Sequence, residues 1–225
     1  WPLAIQGPKA EDLLVTIFSD EIKKIRFFYS KKMYYAGKEL LIARSGWSKQ
    51  GGFEIYVNDP ELGTKLWDEL FSKGEKMGVR AGCPNLIERI ESGLLSFGGD
   101  MDYNTSPFEC GLEQYVSLEA DIESLSIEAL RKRQVKSRLL GIVIDQQINL
   151  KDLRLYSGGR EIGLITSNTW SPKYRRHLAF AKCDVNYISK KQNYYVISTN
   201  GDVPAKITEL PFNFESLGLH SSNSK

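Results

Sequence analysis

The sequence predicts an α+β protein in which a mixed helix-and-strand part precedes a part made of strands alone. Up to about residue 98, helical and strand patterns alternate; from residue 139 onward, short β runs follow one another between turn residues. Short strands at this spacing are typical of a small antiparallel barrel or sandwich. With 225 residues, 41% hydrophobic and 26% charged, the composition is that of a folded globular chain of one large or two small domains.

The first part of the chain carries its helix and strand signals in turn. Pro8 precedes apolar residues at helical spacing, which predicts a helix over residues 9–18. The aromatic run at 25–29 favours a short strand. Residues 33–35 and 39–44 are typical of the two arms of a hairpin.

The next strand has two chemically different faces. Phe53, Ile55 and Val57 fall on one side, and Glu54 and Tyr56 fall on the other. The first face suits a core, so the second face is the one that presents functional groups.

Two further helices are predicted from their start signals. Asn58-Asp59-Pro60 opens one, continued at helical spacing by Leu62, Leu66, Leu70 and Phe71. Gly82-Cys83-Pro84-Asn85 opens the other, in which the residues expected to face inward are Leu86, Ile87, Ile90, Leu94 and Leu95. A long loop over 99–111 and a helix near 126–133 complete this part.

The change of pattern defines the expected domains. The β runs are LLGIVI, LRLYS, EIGLITS, HLAFAKC, YYVIS and AKITELPF. We expect an α+β core over 1–118, a helical linker over 119–136, a β domain over 137–214 and a flexible tail over 215–225.

Composition excludes several classes of function. The 30 Lys and Arg against 28 Asp and Glu leave a net charge of +2, which gives no electrostatic reason to coat nucleic acid or an acidic membrane. Three scattered cysteines and two histidines predict neither a disulfide framework nor a metal site. No apolar run is long enough to span a bilayer and no signal peptide is seen, so we expect a reducing, cytoplasmic environment.

The strongest chemical signal is the glycine-rich turn 46–52 with the strand that follows. Its glycines allow close backbone approach, and Trp47, Glu54 and Tyr56 combine a carboxylate with aromatic surface. A flat heterocycle with adjacent N–H donors needs this combination, because a carboxylate accepts two parallel hydrogen bonds. The pattern equally fits a hairpin with a solvated outer face in which Trp47 packs.

Three other segments carry weaker signals. The helix start at Pro84 and Asn85 suits an anion or an ordinary cap. The polar segment 167–176 fits either a loop that closes over a carboxylate-bearing ligand or a solvated turn. The basic run 131–138 is more typical of a solvated linker than of a nucleic-acid patch, and Phe28 lies in a run whose default role is packing.

Three segments resemble one known family. They are AIQGPKA at 4–10, SGWSKQGGFEI at 45–55 and IERIESGLL at 87–95, which resemble the aminomethyltransferase (glycine-cleavage T-protein) superfamily in order and spacing. The C-terminal pattern around 162–172 is similar to the last domain of that family. The resemblance implies a folate-binding fold whose N-terminal core is followed by a small antiparallel β-barrel domain.

Within the superfamily, the resemblance is greatest to its tetrahydrofolate-dependent dimethylsulfoniopropionate demethylases. The segments that carry it are LIARSGWSKQGG at 41–52, GCPNLIERIES at 82–92 and PFECG at 107–111. The chain departs from the glycine-cleavage enzyme, which usually has Thr-Gly-Glu-Asp-Gly where Ser48-Lys49-Gln50-Gly51-Gly52 stand here and a folate-binding Arg at Asn85. The Lys-Gly-Cys-Tyr motif of the iron–sulfur-assembly relatives is not found.

The resemblance implies transfer of a methyl group from the sulfonium to N5 of tetrahydrofolate, giving methylthiopropionate and 5-methyltetrahydrofolate. Glu54 matches the glutamate that binds the pterin. We expect Trp47, Tyr56 and, more weakly, Phe28 to face the sulfonium substrate. Trp170 and Tyr174 are expected to cover the folate, with Lys173 or Arg175 at its glutamate tail.

The family also has a long segment before the Gln-Gly-Pro motif, which supplies an Asp near the reacting nitrogen. We therefore expect the chain to be N-terminally incomplete, so that no catalytic residue is assigned within it, and its partners to include that segment or a second copy. The alternatives are another tetrahydrofolate-dependent aminomethyl- or methyltransferase, or a folate-binding protein without catalysis.

Overall fold

The computed structural model describes residues 2–46, 50–82, 85–119, 122–189 and 192–219. The chain divides into two compact units, residues 1–84 and 85–225, each with its own core. Among the described residues, no helix is both long and apolar enough to cross a bilayer.

The first unit is a four-stranded antiparallel sheet with two α-helices. Its strands lie in the order β1-β4-β3-β2. The elements in chain order are β1 (Pro2–Gln6), α1 (Ala10–Phe18), a 3₁₀ turn (Asp20–Lys24), β2 (Ser30–Tyr35), β3 (Lys38–Ala43), β4 (Gly52–Tyr56), α2 (Pro60–Gly74) and a second 3₁₀ turn (Glu75–Met77).

One face of this sheet packs against both helices. Phe53 and Ile55 are fully buried there, with Val57 just beyond them, so the predicted alternation of this strand is confirmed. Leu62, Leu66 and Leu70 of α2 join the same core, as the helical spacing predicts. Asp59 caps α2 by accepting hydrogen bonds from the first-turn amides, which the sequence Asn-Asp-Pro also anticipates.

The strand expected at 25–29 is wrong, because these residues form a turn and β2 begins at Ser30. Phe28 has φ +64°, in the left-handed region that ends any extended run. The hairpin between β2 and β3 is confirmed. Its connection, Ala36-Gly37, has positive φ at both residues, as a tight two-residue hairpin turn requires.

The second unit contains a closed six-stranded barrel with strand order β10-β5-β8-β7-β6-β9, which confirms the predicted barrel domain. Before it come α3 (Leu86–Glu91), two 3₁₀ turns (Pro107–Cys110, Glu113–Tyr115) and α4 (Ile127–Lys132). The strands are β5 (Ser137–Ile144), β6 (Arg154–Ser157), β7 (Arg160–Ser171), β8 (Arg176–Asp184), β9 (Tyr194–Ser198) and β10 (Gly201–Thr208), with a 3₁₀ turn (Val185–Tyr187) after β8.

Two expectations for this unit need correction. Helix α3 stops at Glu91 rather than reaching Leu95, because Gly93 (φ +70°) turns the chain, and Leu86 and Ile87 are exposed instead of inward. The expected loop over 167–176 is wrong in its first half. Strand β7 runs through Ser171 after a register shift between Ile165 and Ser167, so only the connection between β7 and β8 is a turn.

A buried carboxylate joins α3 and the following loop to the barrel. Asp100, whose side chain is fully buried, accepts hydrogen bonds from Arg89 Nη1 (2.6 Å), Ser96 N (2.9 Å), Thr166 Oγ1 (2.6 Å) and Ser167 Oγ (2.7 Å). Burial opposes ionisation of Asp100, but these four donors outweigh it and hold its pKa below the ordinary value of 3.8. The ionised group is therefore fully satisfied.

We expect Asp100→Ala to lower the free energy of unfolding of this unit by about 3 kcal/mol, because Arg89 and three other donors lose their acceptor. Since the pKa of Asp100 is lowered in the folded state, its contribution is complete above about pH 4 and disappears as the pH falls through the folded-state pKa. Urea unfolding at pH 7 and pH 3 measures both effects. The matched variant Asp102→Ala, at an exposed loop carboxylate, should cost less than about 1 kcal/mol; equal losses for the two variants would contradict this account.

Candidate functional site

In the first unit, most of the side chains that could bind a ligand or take part in a reaction lie at the end of the sheet where β1 stops and β4 starts. Register places Ala4 of β1 and Ala43 of β3 directly opposite Glu54, on its two sides. Because directly paired residues share a face of the sheet, the glutamate stands between two small methyl side chains. This leaves room above the sheet beside its carboxylate.

One oxygen of that carboxylate is already held. Ser45, just beyond the end of β3, donates its hydroxyl to Glu54 Oε2. Among the described residues, Ser45 is the hydrogen-bond partner of the Glu54 side chain, and it engages Oε2 alone. Glu54 is partly exposed, which lets a ligand reach it.

Gln6 and two glycines build the wall next to this carboxylate. Gln6 Nε2 donates to the carbonyl of Ser45 (3.2 Å). A Cβ atom on Gly52 would lie 2.5 Å from both Gln6 Nε2 and the carbonyl oxygen of Ile5, and one on Gly46 would overlap Gln6 Oε1. Gly52 is therefore required by its close approach to the Ile5 backbone, whereas the contact at Gly46 is with the movable end of the Gln6 side chain. Gly51 (φ +84°) is required by its backbone conformation.

Tyr56 lies on the same face as Glu54, one position further along. It is 40% exposed and pairs with Pro2 and Leu41 on the flanking strands. The face expected from the alternation is thus confirmed as the open face of the sheet. Trp47, with Ser48 and Lys49, lies outside the described residues.

Phe28 approaches the same end of the sheet from the turn before β2. Its N–H donates to the carbonyl of Arg44 (2.9 Å), and the N–H of Arg44 donates to the carbonyl of Tyr29 (2.9 Å). Its ring is 81% exposed, with the ring of Phe27 4.2 Å away. A phenylalanine held at positive φ costs on the order of 1–3 kcal/mol, and residues held in such conformations cluster at functional sites.

The barrel carries the other three predicted residues at one of its ends. Trp170 is a partly buried strand residue of β7 opposite His177, not a loop residue. Arg175 is exposed in the turn that follows and has φ +52°. Tyr174 is buried: its ring lies 5.1 Å from that of Phe214, and its hydroxyl donates to the carbonyl of Phe212 (3.4 Å).

Metal and thiol chemistry find no support in the described residues. They contain no group of three or more His, Cys, Asp or Glu side chains placed to hold a metal ion. Cys110 and Cys183 are buried, and burial raises the pKa of Cys183 to about 12, so it stays a thiol. Cys83 lies outside the described residues.

Sequence reasoning missed Ser45 and Arg44. Ser45 follows the strand that pairs with β4, so its neighbour Glu54 becomes visible only once the register is known. Both residues belong to the motif segment 41–52, which was the signal in the sequence that could have identified them.

Together these features place a partly exposed carboxylate beside small side chains and near exposed aromatic rings. The chain thus combines an α+β unit that carries this carboxylate with a separate six-stranded β-barrel. A model of the GCVT N-terminal domain matches residues 1–120, and a model of the glycine cleavage T-protein C-terminal barrel domain matches residues 137–213. The chain belongs to the glycine cleavage T-protein family.

Several characterised proteins are similar over most of the chain. Dimethylsulfoniopropionate demethylase DmdA of Ruegeria pomeroyi is 40% identical over 211 residues, which cover 92% of this chain and 58% of that protein. Aminomethyltransferases of Alkaliphilus metalliredigens and Listeria welshimeri are 28% and 30% identical, covering 93% of this chain and 58% and 59% of their own length. The chain thus spans under two thirds of these relatives.

The fold is shared with a solved structure. The glycine cleavage system aminomethyltransferase T from Bartonella henselae superimposes with a TM-score of 0.72 at 21% identity, covering 94% of this chain and 59% of that one. The aminomethyltransferase-like fold expected from the sequence is confirmed.

We expect Gly52→Ala to destabilise the first unit by roughly 1–3 kcal/mol, because the new methyl group collides with the backbone carbonyl of Ile5 and with Gln6. The matched control is Gly82→Ala, where a Cβ meets nothing within 4 Å and the backbone is not left-handed. Thermal unfolding of both variants measures the difference. A Gly52→Ala protein as stable as Gly82→Ala would show that β1 does not constrain this position.

Proposed function

We propose that this chain provides the tetrahydrofolate and methyl-donor site of a methyltransferase that moves a methyl group from dimethylsulfoniopropionate to tetrahydrofolate. The products are methylthiopropionate and 5-methyltetrahydrofolate. The observation that supports it most is the partly exposed Glu54 carboxylate, which accepts a hydrogen bond from Ser45 and stands between two alanines, in a chain 40% identical to a dimethylsulfoniopropionate demethylase.

The residues at the sheet end suit a pterin. Its 2-amino group and adjacent ring N–H are parallel donors, and an ionised carboxylate accepts such a pair. Ala4 and Ala43 beside Glu54 leave room for a flat ring above the sheet. Tetrahydrofolate, when bound, supplies the N5 lone pair that accepts the methyl carbon.

The donor is a compact cation, and the exposed aromatic rings suit it. Contact with an aromatic face attracts a cation by roughly 0.5–2 kcal/mol, depending on desolvation. Tyr56 lies beside Glu54 on the open face, and the Phe28 turn borders the same end of the sheet. We assign Tyr56, Phe28 and Trp47 to the donor side.

The main catalytic task of the protein is to orient the methyl donor and the acceptor nitrogen. The bond from the methyl carbon to N5 forms as the bond to sulfur breaks, and sulfur keeps the electron pair as a neutral thioether. The proton on N5 passes to solvent. Aligning the two reactants in a site that excludes water accounts for most of the required acceleration.

The barrel residues are assigned to the rest of the folate. Arg175 is exposed and suits a glutamate carboxylate, while Trp170 is partly exposed and suits the ring system. Tyr174 is only 5% exposed, so its part is limited to supporting this turn, to which Lys173 adds a cation over the Tyr174 ring.

The proposal extends to setting and partners. We infer a cytoplasmic enzyme that does not act on nucleic acid or at a membrane. Its working form includes either a second copy or the portion of the fold by which the longer relatives exceed this chain. The division into a core at 1–118, a linker at 119–136, a barrel at 137–214 and a tail from 215 is retained as part of this proposal; residues 220–225 lie outside the described residues.

A second candidate is aminomethyl transfer to tetrahydrofolate. It is supported by the 28–30% identity to aminomethyltransferases over 93% of the chain. Both reactions need the same carboxylate for the pterin and differ at the donor, so substrate tests separate them. A folate-binding protein without catalysis would need only the carboxylate that binds the pterin.

The purified protein, weighed intact by mass spectrometry, should convert tetrahydrofolate and dimethylsulfoniopropionate to methylthiopropionate and 5-methyltetrahydrofolate, quantified by chromatography. Calorimetric titration with 5-formyltetrahydrofolate runs in parallel. Folate binding with turnover of an aminomethyl donor alone would select the second candidate, and folate binding without turnover of either donor would select a binding protein.

Glu54→Gln should raise the KM for tetrahydrofolate about 10- to 100-fold, because a charge-assisted acceptor worth roughly 1.5–3 kcal/mol is lost. Glu39→Gln is the matched control, on the adjacent strand and paired only at the surface with Lys32. Steady-state kinetics with calorimetry measures both variants. Unchanged folate affinity in Glu54→Gln would remove the assigned role.

Trp47→Ala should weaken binding of dimethylsulfoniopropionate by roughly 2- to 30-fold, the scale of one lost contact between a cation and an aromatic ring. Folate binding should change less than twofold. Separate titrations of the two ligands make the comparison, with Trp67→Ala on an exposed face of α2 as the control. An equal loss for both ligands would indicate a structural role for Trp47.

A further inference from the structure

We propose that Arg44 is a positioning residue that holds the left-handed Phe28 turn against the strand end carrying Glu54, and that selection of a cationic methyl donor depends on this hold. The inference rests on the proposed function for its choice of donor. Its structural half, the hold itself, stands on the contacts of the first unit alone.

Arg44 contacts the turn with both its backbone and its side chain. Its N–H and carbonyl pair with Tyr29 and Phe28, each at 2.9 Å, and its Nη1 donates to the carbonyl of Ile25 (3.1 Å). The turn is thus attached to Arg44 at its start and at its end.

The guanidinium is itself anchored on two other elements. Nη2 lies 2.7 Å from Glu11 Oε2 on α1, and the group stacks over the ring of Phe53, 5.2 Å from its centroid. Phe53 is fully buried in the core. Arg44 therefore connects the turn to α1 and to β4, the strand that carries Glu54.

Side-chain packing holds the turn only at its start, where Ile25 is buried in the core. Phe27, Phe28 and Tyr29 are 56%, 81% and 55% exposed, so little apolar burial fixes them. Phe28 is also in a conformation that a non-glycine residue adopts only when its surroundings impose it. The hydrogen bond from the Tyr29 N–H to the carbonyl of Arg26 (3.0 Å) closes the turn, and the hydrogen bonds to Arg44 attach it to the end of β3.

The register brings this hold next to the carboxylate. Ser30 pairs with Ala43, and Ala43 pairs with Glu54, so the Phe28 turn and Glu54 are about two strand spacings apart, roughly 10 Å. Arg44 is followed directly by Ser45, the donor to Glu54. Two adjacent residues thus contact the aromatic turn and the Glu54 carboxylate.

A lysine cannot replace this guanidinium. The planar fork of arginine serves an acceptor at one nitrogen and an ion pair at the other while its face stacks on an aromatic ring. An ammonium on a flexible stem serves one of these at a time. Arg44→Lys therefore tests geometry with the charge retained.

The experiment compares Arg44→Lys, Arg44→Gln, Phe28→Leu and the double variant Arg44→Gln/Phe28→Leu with the unaltered protein. Arg80→Gln, an exposed arginine of the same unit, is the control. We measure KM and kcat for tetrahydrofolate and for dimethylsulfoniopropionate, binding of each ligand by calorimetry, and amide hydrogen exchange resolved to single residues by NMR.

Both Arg44 variants should raise the KM and Kd for the sulfonium about tenfold, the scale of one misplaced aromatic contact, with less than a twofold change for folate. The Phe28 amide should exchange at least tenfold faster, while the amides of β4 stay protected. Because Arg44 acts through Phe28, the double variant should bind the sulfonium no more than twofold worse than Phe28→Leu. Arg80→Gln should match the unaltered protein.

Unchanged exchange at Phe28 in Arg44→Gln overturns the hold. Equal losses for both ligands, or additive losses in the double variant, overturn the link to donor selection and leave a structural arginine. If the unaltered protein binds folate but not the sulfonium, the proposed donor is wrong and so is the selection, while the exchange measurement still decides on the hold.

Discussion

The register of β4 between β1 and β3 is the constraint on which the candidate site depends. A slip of one residue would turn Glu54 into the core and Phe53 and Ile55 out to solvent. Burying each of these two side chains contributes about 1.5–3 kcal/mol, and a buried unpaired carboxylate would cost more. The apolar face of the strand therefore fixes the position of its polar face, and core packing specifies the site.

The second unit uses a different means of fixing its parts. The barrel interior is apolar, but α3 and the loop after it are joined to β7 by a buried ionised carboxylate with four donors. Such a network stabilises one geometry, because any other arrangement would remove a donor and leave the buried charge without a hydrogen bond. Direction-dependent bonds thus define the position of a short helix with a single fully buried apolar side chain, Ile90.

The sequence predicted the elements whose periodicity is strong and local. Strand β4 follows from its alternation, and helix α2 follows from its start signal and spacing. For the β runs, spacing left a barrel or a sandwich open, and the family resemblance favoured the barrel. The turn at 25–29 was not predicted, because aromatic residues favour strands and nothing in the run itself shows that its backbone pairs with Arg44, fifteen or more residues away. Helix α3 was overextended because leucines and isoleucines at helical spacing continue past the glycine that ends it.

For the site, the open face with Glu54 and Tyr56 was predictable from alternation within one strand. Ser45 and Arg44 were not, since their roles arise from pairing between strands. Strand β7 extends through Trp170 after a register shift. Its residues there are polar, so the sequence pattern predicted a loop.

The two sheets also differ in how they end. Each strand of the barrel has two neighbours, so the barrel offers no free edge, whereas in the described part of the first unit β1 and β2 are each paired on one side. Strand β2 carries Lys31 and Lys32, and charged side chains discourage the addition of a further strand. Strand β1, with the sequence PLAIQ, carries no charge. Among the described residues, the outer edge of β1 therefore lacks the charged side chains that protect the outer edge of β2 against strand addition, and the closed barrel needs no such protection.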